Sequence, residues 1–294
     1  MTKRLLLVDG NNLLYRYFTP KCTKTIDGVH IGAVTSFLTN FYRYCLRFNP
    51  DRFLITFDSP KTSILRKLGD SSYKAERKQT PVNLKPQFNI VQDALTILHG
   101  RNSWYTLSGV EADDVLASYA AQFAAEEKEA QVTIVSDDVD FFQCIQDASE
   151  KSGQIQVWRM SSRKVITEKQ VKGRFGVYPN QFADTRSLQF TKDKERVIRL
   201  PEFSSVDIFE ILEKGPLTDT LRNLDAIKND DVRTKLKRYV SLIELSKRNH
   251  TLDTTLQLPM PILEFPRFDR LGAVPDIETA LLRSIKSRKL QENY

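Results

Sequence analysis

Hydrophobic positions in the first half of the chain follow two alternating rhythms. Short unbroken apolar runs at residues 4–9, 52–58 and 131–136 have the pattern of strands buried on both faces of a parallel sheet. Between them, apolar positions recur at spacings of three and four, as on an amphipathic helix. The clearest case is 32–48, where Val34, Phe37, Leu38, Phe41, Tyr44 and Cys45 share one face. The same rhythm predicts helices over 11–18, 84–98 and 112–127, and a short one through residue 143. A brief strand is predicted at 103–106, and a hairpin at 154–159 and 164–167 around Ser161-Ser162. Strands alternating with helices imply a mostly parallel sheet with right-handed crossovers. After about residue 168 the strand signal fades, and helices are predicted at 168–175, 180–190, 206–214, 217–223 and 230–247. Pro259, Pro261 and Pro266 predict an extended or irregular start to the tail, followed by a last helix over 276–289.

Carboxylates sit where these strands should end. Asp9 closes the first run, Asp58 the second, and Asp137, Asp138 and Asp140 follow the third. Glu111, Asp113 and Asp114 open the helix at 112–127. Sites in open α/β sheets lie outside the carboxyl ends of the strands. Taken singly, each acid is most simply a helix cap or a turn residue. Four acidic segments at one edge repel one another unless a cation neutralises them. Oxygen-only donors suit a hard ion, Mg²⁺ or Mn²⁺, in preference to zinc. One or two such ions are expected, and a pair can activate water against a phosphodiester.

Charge and composition narrow this further. The 294 residues carry 44 Lys and Arg against 37 Asp and Glu, a net charge of +7, a modest excess compatible with a polyanionic partner. Three scattered cysteines, Cys22, Cys45 and Cys144, argue against a disulfide framework or a structural zinc site and for reduced thiols in a cytoplasmic protein. The N-terminal apolar run is too short for a signal peptide, and no stretch has the apolar length of a membrane span. His30, His99 and His250 stand apart from any serine or cysteine motif, and Gly10 and Gly28 stand alone, so neither a nucleophilic triad nor a glycine-rich phosphate loop is expected.

The connection after residue 58 is too long for an ordinary loop. It holds Lys61, Arg66, Lys67, Lys74, Arg77 and Lys78, with Tyr73 among them. Basic side chains neutralise phosphates, and an aromatic among them can stack on an unpaired base. A solvated basic loop is the plainer reading. The acidic edge nearby favours a DNA contact.

In this order the segments resemble the 5′ nuclease family, which includes phage flap endonucleases and the 5′-to-3′ exonuclease domain of bacterial DNA polymerase I. The resemblance runs through Leu5-Leu6-Leu7-Val8-Asp9-Gly10-Asn11-Asn12, Phe57-Asp58, Tyr73-Lys74-Ala75-Glu76-Arg77 and Gly109-Val110-Glu111-Ala112-Asp113-Asp114. It continues through Val135-Ser136-Asp137-Asp138-Val139-Asp140 and reaches Phe175-Gly176-Val177. It covers most of residues 1–190. It implies an α/β fold: a PIN-like, mostly parallel central sheet flanked by helices, then a helix-three-turn-helix-like C-terminal region. Asp9, Asp58, Glu111, Asp113, Asp114, Asp138 and Asp140 become metal ligands by this resemblance, while Asp137 stands where the family usually has glycine. Lys74 and Arg77 match the basic pair of a helical arch that holds the scissile phosphate. Arg66, Lys67, Tyr73 and Lys78 become DNA contacts.

The chain departs from the family after residue 188. Two expected aspartates align with Thr191 and Lys194, or, with a two-residue shift, Asp193 takes the first position and Arg196 the second. Residues 190–214 contain no glycine. Asp193 is thus a candidate further ligand, and Lys192, Lys194 and Arg196 are candidate DNA contacts. The expected organisation is a nuclease domain at 1–167 with an arch at about 60–85, a helical DNA-binding region at 168–257, and a tail at 258–294. The implied activity is Mg²⁺-dependent 5′–3′ exonuclease or flap endonuclease action on DNA ends and flaps, with an RNA–DNA hybrid (primer RNA) as a further substrate. A monomer of phage or bacterial origin is expected, working beside replication proteins and without a membrane. The rival is a non-catalytic DNA-binding replication protein on the same fold. An RNA-directed PIN-type ribonuclease is disfavoured by the long basic connection.

Overall fold

The computed structural model describes residues 3–21, 24–59, 79–189, 203–270 and 276–292. Its frame is a six-stranded sheet in the order β5-β4-β1-β6-β7-β8. The strands are β1 (Arg4–Asp9), β4 (Arg52–Thr56), β5 (Trp104–Tyr105), β6 (Gln131–Val135), β7 (Gln154–Arg159) and β8 (Lys164–Ile166). All pairings are parallel except β7 with β8. Leu5, Leu6, Leu7 and Val8 are all buried, which explains the continuous apolar run: both sheet faces are covered.

One face carries α1 (Gly10–Tyr17), α2 (Gly32–Phe48) and α3 (Lys85–His99). Phe37, Phe41, Leu38 and Cys45 of α2 pack there with Leu6, Val8, Phe53 and Ile55. The other face carries α4 (Ala112–Glu126), whose Val115, Leu116 and Tyr119 pack with Leu5, Leu7 and Ile134. The helical region adds α5 (Glu168–Phe175), α6 (Phe182–Leu188), α7 (Ser205–Glu213), α8 (Leu217–Arg222) and α9 (Asp230–His250). They continue the same apolar cluster through Phe182, Ile211, Leu236 and Ile243. The architecture is therefore α/β with a helical C-terminal region.

The tail returns to the sheet. Phe53 N donates to Pro266 O at 3.2 Å, Phe268 N donates to Asp51 O at 3.3 Å, and Arg52 and Arg267 form an antiparallel bridge. The last helix, α10 (Ile277–Glu292), places Leu281 and Ile285 in the α2–α3 cluster. Among the described residues no helix is long and apolar enough to cross a membrane.

Three details differ from the sequence expectation. A two-stranded hairpin, β2 (Thr25–Ile26) with β3 (Val29–His30), precedes α2. Asp27 and Gly28 turn it, both with positive φ (50° and 81°), as an Asp-Gly hairpin turn requires. Of the helix expected at 180–190, residues 182–188 form α6, Pro179 starts a separate 3₁₀ turn, Gln189 is extended, and residue 190 lies outside the described residues. Helix α9 runs one turn past residue 247, where Lys247, Arg248 and His250 suit the negative end of its dipole.

Among the described residues, Gly10 is the glycine whose missing side chain positions the site. A Cβ there would lie 2.5 Å from the Phe57 ring and 2.7 Å from the Thr56 carbonyl oxygen. The second contact is backbone, so rotamer changes alone cannot relieve it. Gly10→Ala is expected to cost about 3 kcal/mol of stability, read as a lower denaturation midpoint in urea at unchanged slope.

Candidate functional site at the carboxyl edge of the sheet

The centre of the edge is Asp9. It ends β1 and caps α1: its Oδ1 accepts from Asn12 N at 2.8 Å and its Oδ2 from Ser136 Oγ at 2.8 Å. It is 4% exposed. Burial, aided by the charges of Asp58 and Asp138, pushes its pKa to about 7, although the Asn12 and Ser136 hydrogen bonds oppose the rise.

Asp58, just past β4, is fixed by its neighbours. Asn11 Nδ2 donates to its Oδ2 at 2.9 Å, and Ala112 N, at the start of α4, donates to its Oδ1 at 3.0 Å. The Asn11 side-chain carbonyl accepts from Asp58 N at 3.1 Å. Asn11 thus ties the ends of β1 and β4 together. Asp138 caps the 3₁₀ turn Val139–Cys144, accepting from Asp140 N at 2.9 Å, while its own N–H donates to Ser136 Oγ at 3.1 Å. Ser136 therefore joins Asp9 to Asp138.

Glu111 is buried at the N-cap of α4, and Asp113 and Asp114 lie in its first turn. Asp114 accepts from Asp253 N at 2.9 Å, so it also holds the chain that follows α9. Asp140 faces two nitrogen partners: Arg186 Nε at 3.3 Å and His250 Nδ1 at 3.2 Å. Burial works to raise the Asp140 pKa, but the His250 and Arg186 contacts outweigh it and hold the carboxyl below its ordinary value. Asp137 lies apart from this set. It pairs with Arg16 at 2.9 Å and accepts from Ser161 N at 2.7 Å.

The seven carboxylates read from the sequence thus share one edge but divide by partner. Asp9 feels the charges of Asp58 and Asp138. Asp113, Asp114 and Asp140 all act on buried Cys144, whose thiol burial and their charges push up to about 12. Among the described residues, no three or more acidic, His or Cys side chains are drawn together tightly enough to cage an ion as they stand. The donor set nevertheless fits a hard divalent cation: every member is a carboxylate, and Asp9 is buried beside two others of like charge. Arg66, Lys67, Tyr73, Lys74, Arg77, Lys78, Lys192, Asp193, Lys194 and Arg196 lie outside the described residues.

Sequence reasoning missed the supporting shell. Asn11, Asn12 and Ser136 are near the acids in sequence and were open to recognition as their donors. Arg186 and His250 reach Asp140 across 46 and 110 residues, and no local signal marks them.

A mostly parallel sheet with carboxylates along its carboxyl edge is the architecture of the PIN-like 5′ nucleases. The chain belongs to the 5′–3′ exonuclease family, whose N-terminal resolvase-like domain matches residues 4–176. It is 29% identical to the thermostable DNA polymerase I of Thermus filiformis over 280 residues, covering 94% of this chain and 31% of that one. DNA polymerase I of Bacillus caldotenax is 26% identical over 279 residues, covering 92% and 30%. The chain spans just under a third of the length of these relatives. In fold it is similar to the D15 flap endonuclease of bacteriophage T5, solved as a variant with DNA and metal ions: TM-score 0.67, 17% identity, 97% and 98% of the two chains. The catalytic core of Rad2 with DNA substrate is also similar, with TM-score 0.52 and 15% identity over 97% and 87%.

Proposed function

We propose that this chain is a divalent-cation-dependent 5′–3′ exonuclease or flap endonuclease that hydrolyses phosphodiesters near DNA 5′ ends, in replication or repair. The observation that carries the reading is the buried Asp9 at the end of β1, facing Asp58 and Asp138, in a chain of the 5′–3′ exonuclease family. Asp9, Asp58 and Asp138 would hold the ion, with Glu111 and Asp113 beside them. Asp114 and Asp140 belong to the same edge but also anchor Asp253 and Arg186. When bound, Mg²⁺ or Mn²⁺ supplies charge neutralisation and Lewis-acid polarisation of a phosphodiester. The chain's own groups do the positioning: Ser136 and Asn11 fix the carboxylates. Lys74 and Arg77 would hold the scissile phosphate and offset its developing charge. DNA flaps and ends are the proposed substrates, with primer RNA on DNA as a further one. A cytoplasmic monomer working beside replication proteins is the proposed setting.

The test is a panel of 5′-flap, nicked, recessed-end and RNA-primed duplexes, each with Mg²⁺, with Mn²⁺ and with chelator. Metal-dependent release of short 5′ products supports the proposal. Intact substrate under every metal condition would sink it. Lys74→Ala and Arg77→Ala should each lower single-turnover cleavage by about a hundredfold.

One observation favours a second reading, a non-catalytic DNA-binding replication protein: Asp140 is already paired with Arg186 and His250. DNA binding that survives loss of the acids, together with no cleavage, would select that reading.

A further inference from the structure

A second constellation lies beside the carboxyl edge, at the end of β7. A cavity of about 390 Å³ is lined by Tyr17 at the end of α1, Arg43, Tyr44 and Arg47 on α2, and Trp158 and Arg163 around the β7–β8 turn. The cavity's volume is within the range of small-ligand sites. Its charged side chains are all cationic, and among the described residues none of the three arginines is ion-paired. Arg43 only donates to Asn40 Oδ1 at 3.4 Å, and the Arg47 guanidinium lies 4.3 Å over the Trp158 ring. Trp158 is 5% exposed, and its indole N–H points toward the Tyr44 hydroxyl.

The cavity is wired to the acidic edge. The Trp158 carbonyl accepts from Ser136 N at 3.2 Å, and the Ser136 hydroxyl donates to Asp9. Between the two sites stands the Arg16–Asp137–Ser161 link.

We propose that this cavity binds one nucleotide unit of a nucleic-acid strand, with its phosphate on Arg43, Arg47 and Arg163 and its base against the Tyr17 ring. Arginine forks match phosphate oxygens, and aromatic rings take any base without sequence preference. The inference deepens the nuclease reading by adding a strand-holding subsite outside the cleavage edge. It rests on that reading only for the strand's purpose, not for the binding itself.

The test measures binding, so absence of cleavage does not affect it. Deoxythymidine monophosphate is titrated against the full chain in chelator, read by tryptophan fluorescence; Trp104 and Trp158 are the two tryptophans. Binding of a labelled oligo(dT) strand is followed in parallel by anisotropy over a range of salt. Arg43 and Arg47 are exposed helix residues, and the variant Arg43→Gln/Arg47→Gln loses chiefly the Arg47 contact with Trp158, so it should melt within a few degrees of wild type. Arg163→Asn is the second variant, chosen because residue 163 has a φ of 53°, which Asn tolerates. The expected result is at least a tenfold loss of mononucleotide affinity in both variants, with the oligo(dT) salt slope falling by about one. Wild-type chain that ignores the mononucleotide overturns the proposal. So do variants that lose the mononucleotide but keep oligo(dT) affinity and slope, since the ligand would then be a free nucleotide.

Discussion

Asp9→Asn is expected to abolish cleavage while making the metal-free protein more stable at pH 8. A carboxyl whose pKa rises from 3.8 to about 7 on folding holds its proton more tightly folded than unfolded. The penalty for ionising it is absent below about pH 4, grows through the window from 4 to 7, and is complete above it. At its full size the penalty is on the order of 4 kcal/mol. Asparagine keeps the Oδ1 acceptor for Asn12 N and removes the buried charge. The melting temperature of the variant should therefore pull ahead of wild type as pH rises from 5 to 8 without divalent ions. Added Mg²⁺ should reverse the order, because it stabilises only a chain that binds it. Cleavage should fall at least about a thousandfold, the equivalent of several kcal/mol of transition-state stabilisation. Near-wild-type cleavage by Asp9→Asn would remove this residue from the site.

Asp140→Asn should behave in the opposite way, losing stability as well as activity. Asp140 is 21% exposed, Arg186 19% and His250 2%. Removing the carboxylate leaves the guanidinium and the imidazole facing a neutral amide. Breaking a largely buried pair in this way costs about 3 kcal/mol. The Asp140 pKa is held low in the folded chain, so its contribution is present above the ordinary carboxyl pKa and lost as pH falls through the folded value. Urea denaturation should show a large gap between wild type and variant at pH 7 that closes in acid. In the Arg186→Ala background the same substitution should cost less, the difference measuring the coupling. An Asp140→Asn variant as stable as wild type at pH 7 would show that the pair carries no net stability.

These two aspartates also mark how far the sequence could be read. Asp9 was legible because it ends an unbroken apolar run, and strand ends in a parallel sheet converge on one edge. Asp58 and Asp138 followed from the same logic. The contacts of Asp140 with Arg186 and His250, and of Asp114 with Asp253 N, depend on how the helical region folds back over α4. Periodicity says which face of a helix is apolar, not which distant helix will cover it. The return of the tail along β4 was hidden for the same reason, since prolines 259, 261 and 266 report extended chain and not its partner. The β2–β3 hairpin is a different case. Asp27-Gly28 carries the turn signal, but the flanking strands have two residues each, too short for an alternating pattern to register.

A carboxylate-held ion at this edge is tested most directly by single-turnover cleavage of a 5′-flap DNA. The purified chain is assayed with Mg²⁺ and with chelator, and Asp138→Asn is assayed in Mg²⁺. Short 5′ products are expected in the first case alone, with flap binding by anisotropy retained by Asp138→Asn. Equal cleavage with and without chelator, or undiminished cleavage by Asp138→Asn, would contradict a divalent ion held at the ends of β1 and β6.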